Sequence, residues 1–465
     1  MIDRAADNDG DSLELAGAKR LPSAGRVVRQ LVESVVFFLL AALIVEGWFV
    51  SGWWFPLRIA GSSMVPTFLG PHVIVRCSAC GIETAVHQAT PVRHFVCPAC
   101  GHRGEGEIVR KVPGDIVTVW RIPWLARPPR RWEAVVLRNP DAPAQWIVKR
   151  IVGLPGERVR LAEGDVFIDG KRRQKPWGLT RQTAVWIDTT DDRRTGVPDA
   201  LPPRWHAAED SAWHEAEPGR WVFHAPNAGR PDPRVRYAVS PDDAVDWLAH
   251  RPPAGTVTDF LYYTPERSRG NTAIAEGGLE IVVSTEEAKA FWVRLRHEDD
   301  VFWFDIPLRD RRPCRVLSNF EYALVTEAVA CGGLPADKSG TVEVSIVDRI
   351  LRVTYDGAIV VQGRLPPEMP WSHDQPLEWA VGNLYGGKAL TVERLATWRD
   401  VFYRPGPETP FGRTVVLGPN EYYLLGDNPG VSDDSRTWQA GPGVPREYLI
   451  GQARRLNHRD AIRVR

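Results

Sequence analysis

The sequence predicts a mainly β chain behind one N-terminal transmembrane helix, with two insertions breaking up the β part. Three observations carry this. Leu31 to Val50 is a 20-residue apolar run, about the length that spans a bilayer, and its core from Val35 to Val45 holds no charge. After it come short apolar segments bounded by Gly, Pro, Asn and Asp, such as Asp165–Ile168 and Thr341–Val347, the pattern of strands rather than helices. Two C-x2-C pairs, Cys77/Cys80 and Cys97/Cys100, then interrupt that β pattern with sixteen residues between them.

At 465 residues the chain is too long for one core. Its 58 basic and 58 acidic side chains cancel, so no charge excess argues for nucleic acid or for an acidic partner. Six Cys are too few for a disulfide scaffold of this length, and 40 Gly with 39 Pro mark a turn-rich chain. Nineteen Trp suit partly buried cores, membrane interfaces and recognition surfaces alike.

Residues 1–29 read as a cytoplasmic tail, acidic at first and then basic at Lys19, Arg20, Arg26 and Arg29. The basic cluster ahead of the apolar run places the N-terminus in the cytoplasm and the following chain outside. Residues 30–52 form the transmembrane helix, with Glu33 and Glu46 near its ends and Trp48, Trp53, Trp54 and Phe55 as an aromatic belt. A cleaved signal peptide fits less well, because about 30 residues precede the run and no small-x-small site ends it.

Three motifs follow. Ile59-Ala60-Gly61-Ser62-Ser63-Met64-Val65-Pro66-Thr67 presents a serine among small residues, which let a substrate backbone approach and leave N–H groups facing it. Trp146 to Ile151 carries Lys149 into a strand that turns at Gly153-Leu154-Pro155-Gly156. Gly426-Asp427-Asn428 leads into Ser432-Asp433-Asp434-Ser435-Arg436. In this order the three resemble the boxes of bacterial type I signal peptidases (leader peptidases), membrane-anchored proteases with a serine–lysine dyad. The resemblance covers roughly residues 30–76, 103–175 and 398–465, which would form the parts of one catalytic β domain, the first beginning at residue 53.

The resemblance implies roles. Ser63 attacks the scissile carbonyl, Lys149 is the general base, and Ser432 orients its amine. The Ser63 N–H forms part of an oxyanion hole. Some relatives add a serine hydroxyl where this chain has Gly61, so a second donor must be backbone or absent. Asp434 and Arg436 support the site as an ion pair. Pro429, Gly430 and Val431 replace the usual Arg-Asp-Asn. Catalysis needs no cofactor. A lysine base must be neutral, its ordinary pKa is about 10.4, and the apolar neighbours Trp146, Ile147, Val148, Ile151 and Val152 would desolvate it. The substrates implied are signal peptides of preproteins at the outer face of the bacterial inner membrane. The other partners are membrane lipid and the secretion machinery.

The insertions need their own reading. In residues 77–102, Cys77, Cys80, Cys97 and Cys100 have the spacing of a zinc ribbon in a β-hairpin, a structural Zn2+ site with no open position; two disulfides are the alternative. The family pattern has no such ribbon. Residues 176–397 hold a linker and then a run of expected strands: Asp259–Tyr263, Leu279–Val283, Phe291–Leu295, Val301–Ile306, Thr341–Val347, Leu351–Tyr355 and Ala358–Gln362, with a hairpin turn at Asp356-Gly357. Thr341 to Gln362 resembles a hairpin of laminin-G/concanavalin-like jelly rolls, a β-sandwich whose ligand would be a glycan or a protein, or which would have none. Cys314 and Cys331 lie here and could pair. The competing functional reading is a non-catalytic anchored binder that uses ribbon and sandwich. A self-cleaving repressor would need a DNA-binding domain and no span, and a zinc hydrolase would need an open metal position.

Overall fold

The first element is apolar over most of its length, and a helix satisfies its backbone hydrogen bonds within the segment itself. In the computed structural model a helix runs over Ala24–Ile44 and continues as a wider turn over Val45–Val50. Val27–Gly47 is long and apolar enough to cross a membrane, and none of it is buried within the protein. The structure describes residues 24–455 apart from 80, 99–101, 105, 191–203, 225–239, 251–260, 266–271, 285–287, 310–311, 320–324, 329–337, 368, 374, 385–386 and 405–412. The acidic tail with Lys19 and Arg20, the knuckle residues Cys80 and Cys100, and Cys331 therefore lie outside the described residues.

Pro56–Arg465 is one compact, mainly β unit. The sheet that carries Lys149 includes, in spatial order, Ile116–Trp120, Leu449–Arg455, Ala134–Asn139, Ala142–Gly153, Glu421–Leu425 and Val444–Pro445. The lysine strand Ala142–Gly153 is therefore central. It pairs antiparallel with Ala134–Asn139 on one side and Glu421–Leu425 on the other. A second sheet holds the hairpin of Arg158–Ala162 and Asp165–Ile168, as expected. Val152, Val159, Ile168, Tyr423 and Leu425 share a core.

The Cys segment grows from a hairpin, as its sequence position implies: His72–Cys77 pairs with both Glu83–His87 and Gly106–Val112. The turn after Cys77 closes with Gly81 N–H on the Cys77 carbonyl at 2.9 Å, and Cys97 N–H donates to the His102 carbonyl at 2.9 Å. Cys77 and Cys97 are both buried in one small core with Val75, Val86 and Phe95.

Residues after Lys175 build two packed antiparallel sheets. One contains Gly277–Ser284, Ser339–Val347, Ile350–Tyr355, Ala358–Arg364 and Leu390–Arg399; the other contains Val245–His250, Glu378–Leu384, Ala290–His297, Asp300–Pro307 and Arg315–Ser318. Their inward apolar residues, among them Phe223, Leu279, Phe291, Phe304, Val344 and Val381, form one core. The Asp356-Gly357 turn has φ of 47° and 82°, the left-handed pair a tight hairpin requires. One expected strand is corrected: within Asp259–Tyr263, the described residues Leu261 to Tyr263 lie in a turn, because their side chains pack against another segment instead of a sheet.

A buried charge cluster joins Lys175, just after the second sheet, to Asp348 and Asp400. Lys175 Nζ lies 3.0 Å from Asp348 and 2.8 Å from Asp400, both buried, while Asp348 N–H donates to Glu276 at 3.2 Å. Glu276 is buried beside Asp348 and Asp400, and desolvation with those charges pushes its carboxyl up from 4.5 to about 8. Below about pH 4.5 both folded and unfolded chains hold the proton. Between about 4.5 and 8 the folded chain keeps it and the unfolded chain has lost it, so this group's contribution to stability falls as pH rises through that window. Glu276→Gln is expected to flatten the wild-type decline in melting temperature across it; parallel curves for the two proteins would contradict the assignment.

Candidate active site

Successive residues of a strand face opposite ways, so Lys149 and Arg150 leave the central strand on different sides. Both are buried, with side chains 3% exposed for Arg150 and Lys149 3% exposed overall. Lys149 sits opposite Val135, and its Nζ donates to Ser432 Oγ at 2.8 Å. Burial dominates its electrostatics. Against the attraction of Asp434, desolvation lowers the amine from 10.5 to about 8, helped by Arg436.

The loop carrying Ser63 makes only local turns of its own, including Phe68 N–H to the Met64 carbonyl at 2.8 Å. The third box holds it from outside. Asn428 N–H donates to the Ser63 carbonyl at 3.0 Å, and Asn428 Nδ2 donates to the Ser62 carbonyl at 3.1 Å. Gly426 shows how close the boxes come. A Cβ there would lie 2.2 Å from Ser432 Oγ and 2.5 Å from the Ser63 carbonyl oxygen, so only glycine fits. The Ser63 backbone thus borders the hydroxyl that receives the Lys149 amine. Ser63 itself is half-buried, and among the described residues no hydrogen bond joins its hydroxyl to Lys149. Gly61 is exposed, and a Cβ there would meet nothing within 4 Å.

Asp434 is 0% exposed and holds the third box in shape. It accepts from Arg436 Nε and Nη2, both at 2.8 Å, and from Gly426 N–H at 3.0 Å. Arg436 also donates to the Pro429 carbonyl at 3.1 Å, so the unusual Pro429-Gly430-Val431 is tied down and Ser432 still reaches Lys149. Burial raises the Asp434 pKa, but Arg436 and its hydrogen bonds outweigh that and hold it below the ordinary value.

On the opposite face of the strand lies a pair that reading the sequence missed. Arg150 donates to Asp427 through Nε at 2.7 Å and Nη2 at 2.6 Å, and Thr67 Oγ1 donates to Asp427 as well. Arg150 Nη1 also bonds the Trp132 carbonyl at 2.7 Å. Thr67 belongs to the serine box, Arg150 to the lysine box and Asp427 to the third box. One buried ion pair therefore fastens all three. The available signal was strand alternation: in a central strand, a buried Lys149 implies a second buried face for Arg150.

Residues 29–199 match the family model described as signal peptidase, peptidase S26. This S26 region contains Ser63 and Lys149; Ser432, Asp434 and Arg436 lie beyond it. A probable signal peptidase I-2 of Synechocystis sp. is 33% identical over 93 residues, which are 19% of this chain and 43% of that protein. The chain thus spans less than half the length of the curated relative it matches. Both matches are to signal peptidases. Among solved structures, a galectin of Caenorhabditis elegans is 16% identical, covering 27% of this chain and 84% of its own, with a TM-score of 0.21. The carbohydrate-binding module CBM66 of Bacillus subtilis is 9% identical, covering 43% and 93%, with a TM-score of 0.22. Likeness at these scores carries no argument about the sandwich.

Proposed function

We propose that the chain is a membrane-anchored serine endopeptidase that removes signal peptides from translocated preproteins with a Ser63–Lys149 dyad. The observation that carries this is the Lys149 amine: buried, lowered to about 8, and set on Ser432 beside the serine loop. A fraction of such an amine is neutral at pH 7, and a bound substrate that excludes water would enlarge it.

Neutral Lys149 takes the proton of Ser63 Oγ as the oxygen bonds to the scissile carbonyl carbon. The Ser63 N–H faces the oxyanion. Lys149 then gives its proton to the leaving amine as the C–N bond breaks, leaving an acyl-ester on Ser63. Water attacks that ester as Lys149 takes its proton; the acyl C–O bond then breaks, Lys149 passes the proton to Ser63 Oγ, and the new carboxyl terminus leaves. Ser432 keeps the amine aimed throughout, and Asp434 with Arg436 keeps Ser432 in place.

The apolar helix anchors the chain in the bacterial inner membrane, with the basic residues before it on the cytoplasmic side and the catalytic part outside. Signal peptides, membrane lipid and the secretion machinery are its partners. Cys77, Cys80, Cys97 and Cys100 hold a structural zinc. The burial of Cys77 and Cys97 at two backbone turns in one small core fits that use, and four thiolates would stiffen the hairpin without entering the chemistry.

The test is cleavage of a model preprotein in detergent. Wild type is expected to cut after the small-x-small site. Ser63→Ala is expected to cut nothing while keeping its melting temperature and metal content. Cleavage by the alanine variant would overturn the proposal.

A further inference from the structure

We propose that Leu261–Thr264, contributed by the insertion, is a positioning element of the Ser63 loop, so the inserted chain is a working part of the active site and not an appended module. This rests on Ser63 being the nucleophile.

The serine loop lacks a sheet ladder, so whatever packs on it sets its geometry. Val65, two residues after Ser63, is fully buried, and its cluster is completed by Leu261 and Tyr263, with Leu69 and Val185 alongside. The Tyr263 hydroxyl donates to the Gly70 carbonyl at 3.0 Å, at the far end of the loop. At the near end, Asn428 Nδ2 bonds the Ser62 carbonyl at 3.1 Å and reaches Thr264 Oγ1 at 3.5 Å. Leu261 and Tyr263 therefore brace the loop at its middle and its end, and Thr264 supports its start through Asn428. All of this segment's contacting side chains are buried: Leu261 is 8% exposed, Tyr263 3% and Thr264 1%.

The same segment also holds the Cys hairpin. His87 N–H donates to the Tyr263 carbonyl at 2.8 Å, and the Tyr263 ring lies 6.0 Å from the His72 ring and 5.8 Å from the His87 ring. Tyr263 is thus where the inserted chain, the hairpin and the serine loop meet. Without it, Val65 would lose part of its cover, and the Gly70 carbonyl would lose one donor while keeping its 2.9 Å contact with His72 Nδ1. A misplacement of about 1 Å at the nucleophile costs rate out of proportion to the stability lost.

The experiment compares full-length wild type, Tyr263→Phe, Tyr263→Leu and Leu261→Ala in detergent, well below their melting temperatures. Two substrates are used, a model preprotein and a small activated ester that reaches Ser63 but is too short to touch the sandwich. The proposal expects Leu261→Ala and Tyr263→Leu to lose roughly 10- to 100-fold in rate on both substrates, mostly in kcat. Tyr263→Phe, which keeps the ring, should lose less. The pH at which the rate is half-maximal should not move, because Lys149 is untouched. Loss on the preprotein alone, through KM, would make the segment a substrate-docking surface and overturn the proposal. Unchanged rates in folded variants would overturn it too. A Ser63→Ala control that still turns over the ester would instead show that the nucleophile was misassigned.

Discussion

Lys149→Ala is expected to lower preprotein cleavage by about 10^4-fold while leaving the protein folded. Removing the amine deletes the buried base that contacts Ser432, and with it the acceptor proposed for the Ser63 proton. The loss should fall on kcat, since Lys149 acts on the hydroxyl and not on substrate binding. Stability should change little or rise, because a buried lysine lowered to about 8 is a group the fold tolerates at some cost. Lys149→Arg should be equally inactive, as a guanidinium stays charged at any working pH. In wild type, kcat/KM should rise with pH through about 8, following the neutral amine. Ordinary turnover in Lys149→Ala would exclude it as the base.

Asp427→Ala should have the largest effect on stability, about 3–5 kcal/mol, because it strands the Arg150 charge in a buried site. Arg150 is 3% exposed and Asp427 0%, so solvent cannot replace the lost partner. The same change removes the acceptor of the Thr67 hydroxyl and loosens all three boxes together. Urea midpoints should fall accordingly, and activity should fall even where the variant remains folded. Replacing Arg150 and Asp427 together with apolar residues of similar size should recover much of the stability and not the activity, since Thr67 would remain unanchored. A single variant as stable as wild type would show that the pair does not fasten the site.

Both cases bear on what the sequence disclosed. The three boxes were legible because each has a fixed order of glycine, proline and polar residues, which local backbone geometry demands. The N-terminal helix was legible from the run Leu31–Val50, whose core Val35–Val45 is apolar throughout. The strands Gly277–Ser284, Ala290–His297 and Asp300–Pro307 were legible through the short apolar segments Leu279–Val283, Phe291–Leu295 and Val301–Ile306. Trp213–Glu217, Arg220–Phe223 and Val245–His250 escaped, because they are rich in Trp and charge and not in β-branched residues. The Arg150–Asp427 pair escaped for a different reason. A charged residue is ordinarily solvated, and only the partner 277 positions away makes its burial affordable. Likewise, nothing local in Leu261–Thr264 announces that its apolar side chains serve a loop some two hundred residues earlier in the chain.

The central claim is that a neutral Lys149 makes Ser63 a nucleophile. Its most direct test is covalent labelling by an activated ester at several pH values, with the modified residue located by peptide mass spectrometry. The account predicts an acyl group on Ser63, formed faster as pH rises through about 8 and lost in Lys149→Ala. Label on another residue, or Ser63 labelling at an undiminished rate without Lys149, would contradict it.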